Sequence, residues 1–202
     1  MMSMADDTGE AQLPALFGKP TPARMYDYYL GGKDNFEVDR AAADQLINRL
    51  GVEKTRFVAW ENRRFLWRTV EYLSAECGIS QFIDVGAGLP TMRNTHEIAQ
   101  QVNPAARTVY VDVDPVAFAH ATALLQDDGQ TGVIHADLRN TRHVLAQPII
   151  GELLDLSRPV GMLMIAVLHF LGDADDPAGV VAAYQRAEIG RASCRERVCA
   201  IV

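Results

Sequence analysis

Short apolar runs alternate with longer amphipathic segments along most of this chain. Four of the runs are short and apolar enough to predict buried strands. The segments between them carry apolar residues at helical spacing, which indicates strand–helix–strand units. Such units form a parallel sheet covered by helices on both faces, so the pattern predicts an α/β fold. The predicted strands are Gln81–Gly88, Thr108–Asp114, Gly132–Leu138 and Pro159–Leu171, the last running into a loop.

Helices are predicted before the first strand as well as between strands. Residues 1–20 have the character of a loose polar arm. A short helix, a turn at Gly31-Gly32 and a second helix from near Glu37 to a C-cap at Gly51 come next. Pro90 is expected to open the helix after the first strand. A long helix is expected over residues 54–78, with a buried face that holds Phe57, Trp60, Phe65 (or Arg64), Trp67, Val70 and Leu73.

The composition fits one soluble globular domain. The chain has 202 residues, 49% of them hydrophobic and 22% charged, and domains commonly hold about 100–200 residues. A formal net charge of −7 argues against non-specific nucleic-acid binding, which needs Lys and Arg against phosphates. No apolar run reaches the roughly 18 residues of a membrane span, so no membrane partner is expected and the cytoplasm is the expected compartment. The three cysteines lack metal-ligand spacing, and no metal site is predicted.

Acidic residues and a glycine turn mark the ends of three consecutive predicted strands. In parallel α/β sheets, ligands bind at the carboxyl ends of the strands. The first strand ends in Asp84-Val85-Gly86-Ala87-Gly88, where glycines let the backbone approach a ligand closely. The third glycine of the dinucleotide pattern is replaced by Thr91, and Asp84 would repel a pyrophosphate. A cationic ligand without phosphates fits this turn better.

The next two acids suit an adenosyl group. Asp112 can accept hydrogen bonds from both ribose hydroxyls. Asp114 is its rival, although helix capping is the interpretation that we favour for Asp114. Asp137 can accept from an adenine amino group while Leu138 packs on the ring, and the alternative for Asp137 is capping of the following helix.

The motifs resemble a known family. The segments RMYDYYLGGKDNF, FIDVGAGLPT with NTHEIAQ, VYVDVDP, ADLRN and AVLHFL are similar to those of a family of candidate S-adenosylmethionine-dependent methyltransferases, first catalogued as a domain of unknown function. They span roughly Thr21–Tyr184. The resemblance implies a class I, Rossmann-like methyltransferase sheet with an N-terminal helical extension, and S-adenosyl-L-methionine as cofactor. The cofactor contacts it implies are Asp84, Gly86, Ala87, Gly88, Asp112, Val113, Asp137, Leu138 and Ala166, with Ala166–Phe170 beside the transferring methyl.

Three further groups of residues carry alternatives. His169 is a candidate catalytic base, or a packed histidine beside Phe170. The aromatic segment around Gly31-Gly32 could cover the site as a lid, with Tyr28, Gly32 and Lys33 as contacts, or it could be core. The long helix carries Arg63, Arg64 and Arg68, which form a solvated basic face unless one of them reaches a carboxylate in the site, such as the methionine carboxylate.

The end of the chain differs in character from the rest. The methyltransferase sheet of the resembled family normally has seven strands, whereas four are predicted here, so the C-terminal strands are expected to be missing. Residues 188–202 hold two of the three cysteines and resemble translated vector sequence, which leaves 21–187 as the expected methyltransferase domain. A bare fourth strand would invite aggregation. The segment CAIV could pair there, and the alternative is a short variant completed as a homodimer.

The function implied by these features is methyl transfer from S-adenosyl-L-methionine to a small-molecule acceptor. Direct transfer needs alignment of the reacting atoms and exclusion of water more than covalent help from the protein. One alternative is a non-catalytic protein that binds S-adenosylmethionine or S-adenosylhomocysteine. Another is an NAD-dependent oxidoreductase, against which the missing glycine and Asp84 count.

Overall fold

The computed structural model describes residues 18–90, 92–125, 129–186 and 198–201, the last four by their backbone alone. The chain separates into two compact units, Met1–Ala59 and Trp60–Val202. The N-terminal unit contains helices α1 (Pro22–Leu30) and α2 (Glu37–Leu50), and helix α3 (Val52–Ala75) begins in it. The second unit contains the sheet, which confirms the predicted α/β class.

The sheet is parallel, with strand order β3-β2-β1-β4-β5. Helices connect consecutive strands, as the alternating pattern predicts. In chain order the elements are β1 (Gln81–Val85), α4 (Thr95–Val102), β2 (Arg107–Asp112), α5 (Pro115–Leu125), β3 (Thr131–His135), α6 (Thr141–Leu145), α7 (Pro148–Leu153), β4 (Val160–Leu163), α8 (Pro177–Arg186) and β5 (Val198–Ile201), with 3₁₀ turns at Leu168–Phe170 and Asp173–Asp175.

Two apolar cores lie on opposite faces of the sheet. Successive side chains of a strand point to opposite faces, so Ile83 enters one core while its neighbour Phe82 enters the other. Helices α6, α7 and α8 cover the Ile83 face, where Val144, Ile150 and Tyr184 are fully or almost fully buried. Helices α3 and α4 cover the Phe82 face with residues that include Leu66, Val70, Leu73, Ile98 and Ala99.

Several predicted boundaries are wrong: the long helix spans Val52–Ala75 rather than 54–78, and β2 ends at Asp112 rather than Asp114. Helix α4 does not begin at Pro90 but at Thr95, because Asn94 caps it and its N–H donates to Glu97 Oε2 at 2.6 Å. Strand β3 ends at His135 rather than Leu138. Strand β4 ends at Leu163, since Ala166 takes a left-handed backbone with φ of 55°.

The C-terminal strand β5 lies in a segment expected to be foreign to the domain. Its backbone pairs with β4 in parallel register, from Val160 opposite Val198 to Leu163 opposite Ile201. The expectation that CAIV could pair with the fourth strand is therefore confirmed to within one residue. The assignment of 188–202 as non-native stays a prediction.

The Gly-Gly-Lys-Asp-Asn turn of the N-terminal unit is built around a buried carboxylate. Asp27 Oδ2 accepts from the Asp34 N–H at 2.9 Å and from Asn35 Nδ2 at 2.8 Å. A Cβ at Gly32 would lie 1.9 Å from Asp27 Oδ1, so a glycine is required there. Gly31 closes α1 with φ of 84°. The unusual composition of this turn thus has a structural explanation within the unit.

A second buried charge anchors the same unit. Arg24 and Asp39 are both fully buried, and Arg24 Nε lies 3.0 Å from Asp39 Oδ2. The Arg24 guanidinium also lies over the Phe36 ring, 5.2 Å from its centroid. Because removal of one partner would leave an uncompensated buried charge, this pair makes the helical unit intolerant of substitution at either position.

Candidate active site

The predicted acids of the first two strands meet at one cleft. Strands β1 and β2 are parallel neighbours, with Asp84 opposite Tyr110, so their carboxyl ends share one edge of the sheet. The cleft has a volume of about 420 Å³, which includes the solvent at its open mouth. Four of the predicted cofactor residues line it, namely Asp84, Ala87, Gly88 and Asp112.

The glycine turn after β1 cannot be built from other residues. Gly86 has φ of 72° and Gly88 has φ of 68°, in the left-handed region. A Cβ at Gly86 would lie 2.3 Å from a methyl carbon of Val167, in the loop after β4. The Gly86 N–H donates to the Val111 carbonyl at 2.8 Å, which ties the turn to β2. The turn therefore has no side chain at its two glycines, and its backbone is held by close packing on Val167 and by the hydrogen bond to β2.

Asp112 is held in one orientation by two backbone donors. Its Oδ2 accepts from the Gly88 N–H at 2.7 Å and its Oδ1 accepts from the Asp114 N–H at 2.8 Å. Burial raises the pKa of this carboxyl. A carboxylate has about four acceptor positions on its two oxygens, so two hydroxyl groups of a ligand can be accepted beside these bonds. Val113, which follows, leaves 63% of its surface exposed.

Asp114 is the helix cap that the sequence favoured. Its Oδ1 accepts from the Val116 N–H at 2.8 Å, at the first turn of α5, and the residue is buried. This prediction is confirmed. Asp114 thus caps the helix, while Asp112 lines the cleft.

Asp84 is a buried carboxyl that lines the cleft. Its Oδ2 accepts from Thr95 Oγ1 at 2.6 Å. Burial raises its pKa to about 6, and the Thr95 hydrogen bond and the Arg63 charge oppose that rise only in part. The group is therefore ionised at neutral pH and loses its charge in mildly acidic solution.

Several further polar residues line the cleft, of which the sequence singled out Arg63 alone, as one of three candidate arginines. Arg63 is buried, and its Nη2 donates at 3.2 Å to both the Met92 carbonyl and Asn94 Oδ1. The Tyr110 hydroxyl, on β2, accepts a hydrogen bond from the His96 backbone N–H and also makes a hydrogen bond with Nδ1 of the His96 ring. Of the three arginines that the sequence placed on one basic face of α3, Arg63 lines the cleft, whereas Arg64 and Arg68 are exposed. The sequence signal for Arg63 was its position three residues before Leu66. Residues three apart lie on the same face of a helix, and Leu66 is buried.

The third predicted acid lies outside the cleft. Asp137 follows β3 by two residues, and Arg139 Nε donates to both of its carboxylate oxygens at 3.0 Å. Arg139 also pairs with Asp175, at 2.8 Å. The Arg139 hydrogen bond lowers the Asp137 pKa. Leu138 packs against the core, and its carbonyl accepts from the Tyr184 hydroxyl at 3.0 Å. Adenine contacts by Asp137 and Leu138 stay a prediction.

The candidate base and its neighbour lie in the loop after β4. Ala166 is half-buried, next to the Val167 that contacts the glycine turn. His169 is exposed, and its ring centroid lies 4.0 Å from that of Phe170. Neither residue lines the cleft. The base role therefore stays a prediction.

The three predicted lid residues all lie in the N-terminal unit. Tyr28 lies on α1, and its hydroxyl donates to Asp44 Oδ1 at 3.2 Å. Gly32 packs on Asp27, as described above, and Lys33 is exposed at the tip of the turn. Contact with a ligand stays a prediction for each.

Two classes of feature are not found in the part of the chain that the structure describes. It holds no group of three or more His, Cys, Asp and Glu side chains placed to bind a metal ion. None of its described helices combines the length and apolar character that crossing a membrane requires.

Comparisons with known proteins agree with this geometry. A family model described as S-adenosyl methyltransferase matches residues 11–194. The crystal structure of a candidate methyltransferase from Thermobifida fusca YX is 46% identical, with a TM-score of 0.77, over 85% of this chain and 65% of that one. A DUF574 family protein from Streptomyces avermitilis MA-4680 is 38% identical, with a TM-score of 0.79, over 83% and 64%. The chain thus spans slightly under two thirds of the length of these relatives. None of the curated proteins matches it.

Proposed function

The chain belongs to the S-adenosyl methyltransferase family, and on that premise we propose that it transfers a methyl group directly from S-adenosyl-L-methionine to a small-molecule acceptor. The family uses S-adenosyl-L-methionine as methyl donor. When bound, this cofactor supplies a methyl group already activated by a sulfonium leaving group. What the chain must add is binding, alignment and exclusion of water.

The observation that carries the proposal is the fixed Asp112 carboxylate beside the bare glycine turn. Both oxygens of Asp112 are oriented by backbone N–H groups, so the side chain is preorganised to accept the ribose hydroxyls. Gly86 is fixed by its packing on Val167, and Gly88, which lines the cleft, donates its N–H to Asp112. The Asp84 carboxylate favours a cation over a phosphate at the same edge. This set of groups suits an adenosyl sulfonium.

The remaining predicted residues complete the proposal. Val113 offers an exposed apolar surface next to Asp112 for the nucleoside. Asp137 would accept a hydrogen bond from the adenine amino group in addition to the one that it already accepts from Arg139. His169 would take a proton only from an acceptor that has one to lose. A net charge of −7 disfavours a nucleic-acid acceptor and supports a small one.

The decisive experiment is calorimetric titration of S-adenosyl-L-methionine into the wild-type chain and Asp112→Asn. A charge-assisted hydrogen bond is worth about 1.5–3 kcal/mol, so we expect affinity to fall roughly 10- to 100-fold. The control is Asp155→Asn, at the opposite edge of the sheet, where Asp155 caps only its own loop. Equal binding by the wild type and Asp112→Asn would refute the assignment of the site.

Turnover distinguishes an enzyme from a binding protein. We expect methyl transfer from labelled S-adenosyl-L-methionine to at least one member of a panel of small nucleophiles. A chain that binds the cofactor tightly but methylates none of them would support a non-catalytic binding function instead.

A further inference from the structure

Two tryptophans form a cluster beside the cleft. Trp60 and Trp67 lie on α3, three residues before and four residues after Arg63, so the three side chains share one face of the helix. Arg63 lines the cleft. The two indole rings meet edge to face, with centroids 6.4 Å apart and an interplanar angle of 74°. Both tryptophans are half-buried, so part of each remains accessible to a ligand.

An arginine from the loop before α4 completes the cluster. The Arg93 guanidinium lies over the Trp67 ring, 5.1 Å from its centroid, and the residue is exposed. A guanidinium that stacks on a ring through its face keeps its N–H edge for a carboxylate. Within the described residues, Arg93 forms no ion pair that would occupy this edge. The cluster therefore presents a cation beside two aromatic rings.

Trp67 also carries a buried hydrogen-bond donor. Its Nε1 atom is buried and donates to no residue in the part of the chain that the structure describes. A buried donor without an acceptor is unfavourable, so a ligand oxygen that accepts from it is bound more tightly. Ile165, at the carboxyl end of β4, packs on the same core cluster as Trp67. Strands β1 and β4 are parallel neighbours, so this is the edge of the sheet at which Asp84 lies.

The rings, the guanidinium and the indole N–H together match an aromatic acid. We propose that this cluster binds the methyl acceptor, an aromatic hydroxy acid whose ring packs on Trp60 and Trp67 while its carboxylate pairs with Arg93. The Trp67 N–H donates to an oxygen of the same acid. The inference rests on the proposed function and names the class of acceptor that the function leaves open.

The ring hydroxyl of such an acid is the group that accepts the methyl, because Arg93 holds the carboxylate. Its oxygen forms a C–O bond to the methyl carbon as the C–S bond breaks, and the electrons of that bond stay on sulfur. The phenolic proton is released to solvent. A phenol and a sulfonium thus become a methyl ether, the thioether S-adenosylhomocysteine and one proton, so atoms and charge balance.

The test is binding of three probes to the wild-type chain and to Arg93→Gln. Para-hydroxybenzoate has the ring, the hydroxyl and the carboxylate. Para-hydroxybenzyl alcohol lacks the negative charge, and hydroxycyclohexane carboxylate lacks the aromatic ring. Calorimetry gives the affinities. The chain has just two tryptophans, so quenching of tryptophan fluorescence shows that a probe binds at this cluster.

We expect para-hydroxybenzoate to quench the fluorescence and to bind about 10- to 100-fold more tightly than the alcohol, the range of a charge-assisted hydrogen bond. Ring stacking should favour it over the cyclohexane acid by about 2- to 10-fold. Arg93→Gln should lose the preference for the acid, while its affinity for the alcohol changes less than about threefold. Trp67→Phe, which keeps a ring but loses the N–H, should bind the acid about 2- to 10-fold more weakly.

The ratio of acid to alcohol affinity is the readout, because it is measured within one folded variant. Arg93 is exposed, so its substitution leaves the core intact. The matched control is Arg158→Gln, which removes an exposed arginine next to Ser80, before β1. Its ratio should equal that of the wild type.

Three results would overturn the inference. Equal wild-type affinities for acid and alcohol, or equal losses for both in Arg93→Gln, would mean that Arg93 only packs on Trp67. Binding of S-adenosyl-L-methionine without binding of any of the three probes would remove the acceptor class, while the proposed function stands. Binding of the acid by a folded chain that does not bind S-adenosyl-L-methionine would remove the proposed function, and with it the role of the acid as acceptor.

Discussion

Acidic side chains after the strands have properties that follow from their surroundings more than from residue type. Asp84 and Asp137 are both acids at strand ends, yet burial raises the pKa of Asp84 to about 6 while an exposed arginine lowers that of Asp137. The same residue type thus has opposite behaviour within one edge of the sheet. Asp84 is consequently the acid whose titration should be visible in the stability of the fold.

Stability should decrease as Asp84 ionises. Its pKa lies near 3.8 in an unfolded chain and about 6 in the folded one, so the protonated form is favoured by folding and its contribution is lost as pH rises through 6. We expect the free energy of unfolding of the wild type, relative to Asp84→Asn, to fall by roughly 2 kcal/mol between pH 4 and pH 7.5. Urea denaturation of both chains across that range measures it. A difference independent of pH would contradict the raised pKa.

Secondary-structure elements begin and end where side-chain hydrogen bonds to the backbone replace the regular backbone hydrogen bonds of a helix or strand. Strand β3 was expected to reach Leu138, but the Asp137 carboxylate accepts from the Arg139 N–H at 2.9 Å and turns the chain. The buried face of α3 was expected to hold Phe57 and Phe65, which are 62% and 41% exposed. Arg63 is buried instead. Periodicity indicates that a helix has an apolar face, but the partners that pack on it decide which residues that face includes.

Helix α5 depends on one cap. Asp114 accepts from the Val116 N–H and is buried. We expect Asp114→Ala to lower the free energy of unfolding by about 1 kcal/mol, which corresponds to a melting temperature lower by roughly 2–4 °C for a chain of this size. Differential scanning calorimetry measures the change. Asn also caps helices well, so Asp114→Asn should melt close to the wild type, and an equal loss in both variants would argue against capping.

At the scale of the whole molecule, β5 covers the edge of the most buried strand. In β4, Val160, Met162 and Leu163 are fully buried, and the β4 backbone pairs with Val198–Ile201. A strand edge without a partner is a template for association with other chains. We therefore expect the C-terminal residues to affect solubility as well as stability.

Removal of β5 should destabilise the sheet and promote association. We expect a chain ending at residue 197 to melt several degrees lower and to scatter light at concentrations where the full chain does not. Cys199→Ser keeps the backbone that pairs with β4 and should behave as the full chain does. Unchanged melting and scattering of the shortened chain would show that the β4 edge needs no partner.

The amino-acid sequence by itself determined the class of fold, the glycine turn and the strand-end acids. It could do so because alternating apolar runs, caps such as Asp114 and the Gly86–Gly88 turn are local signals that need no knowledge of distant contacts. Only the tertiary structure decided that Arg63 lines the cleft and that β3 and β4 are shorter than predicted. It also decided that Arg139 forms an ion pair with Asp137. Each of these outcomes depends on residues brought together from separate elements, whose packing decides which charges are buried and which remain in water.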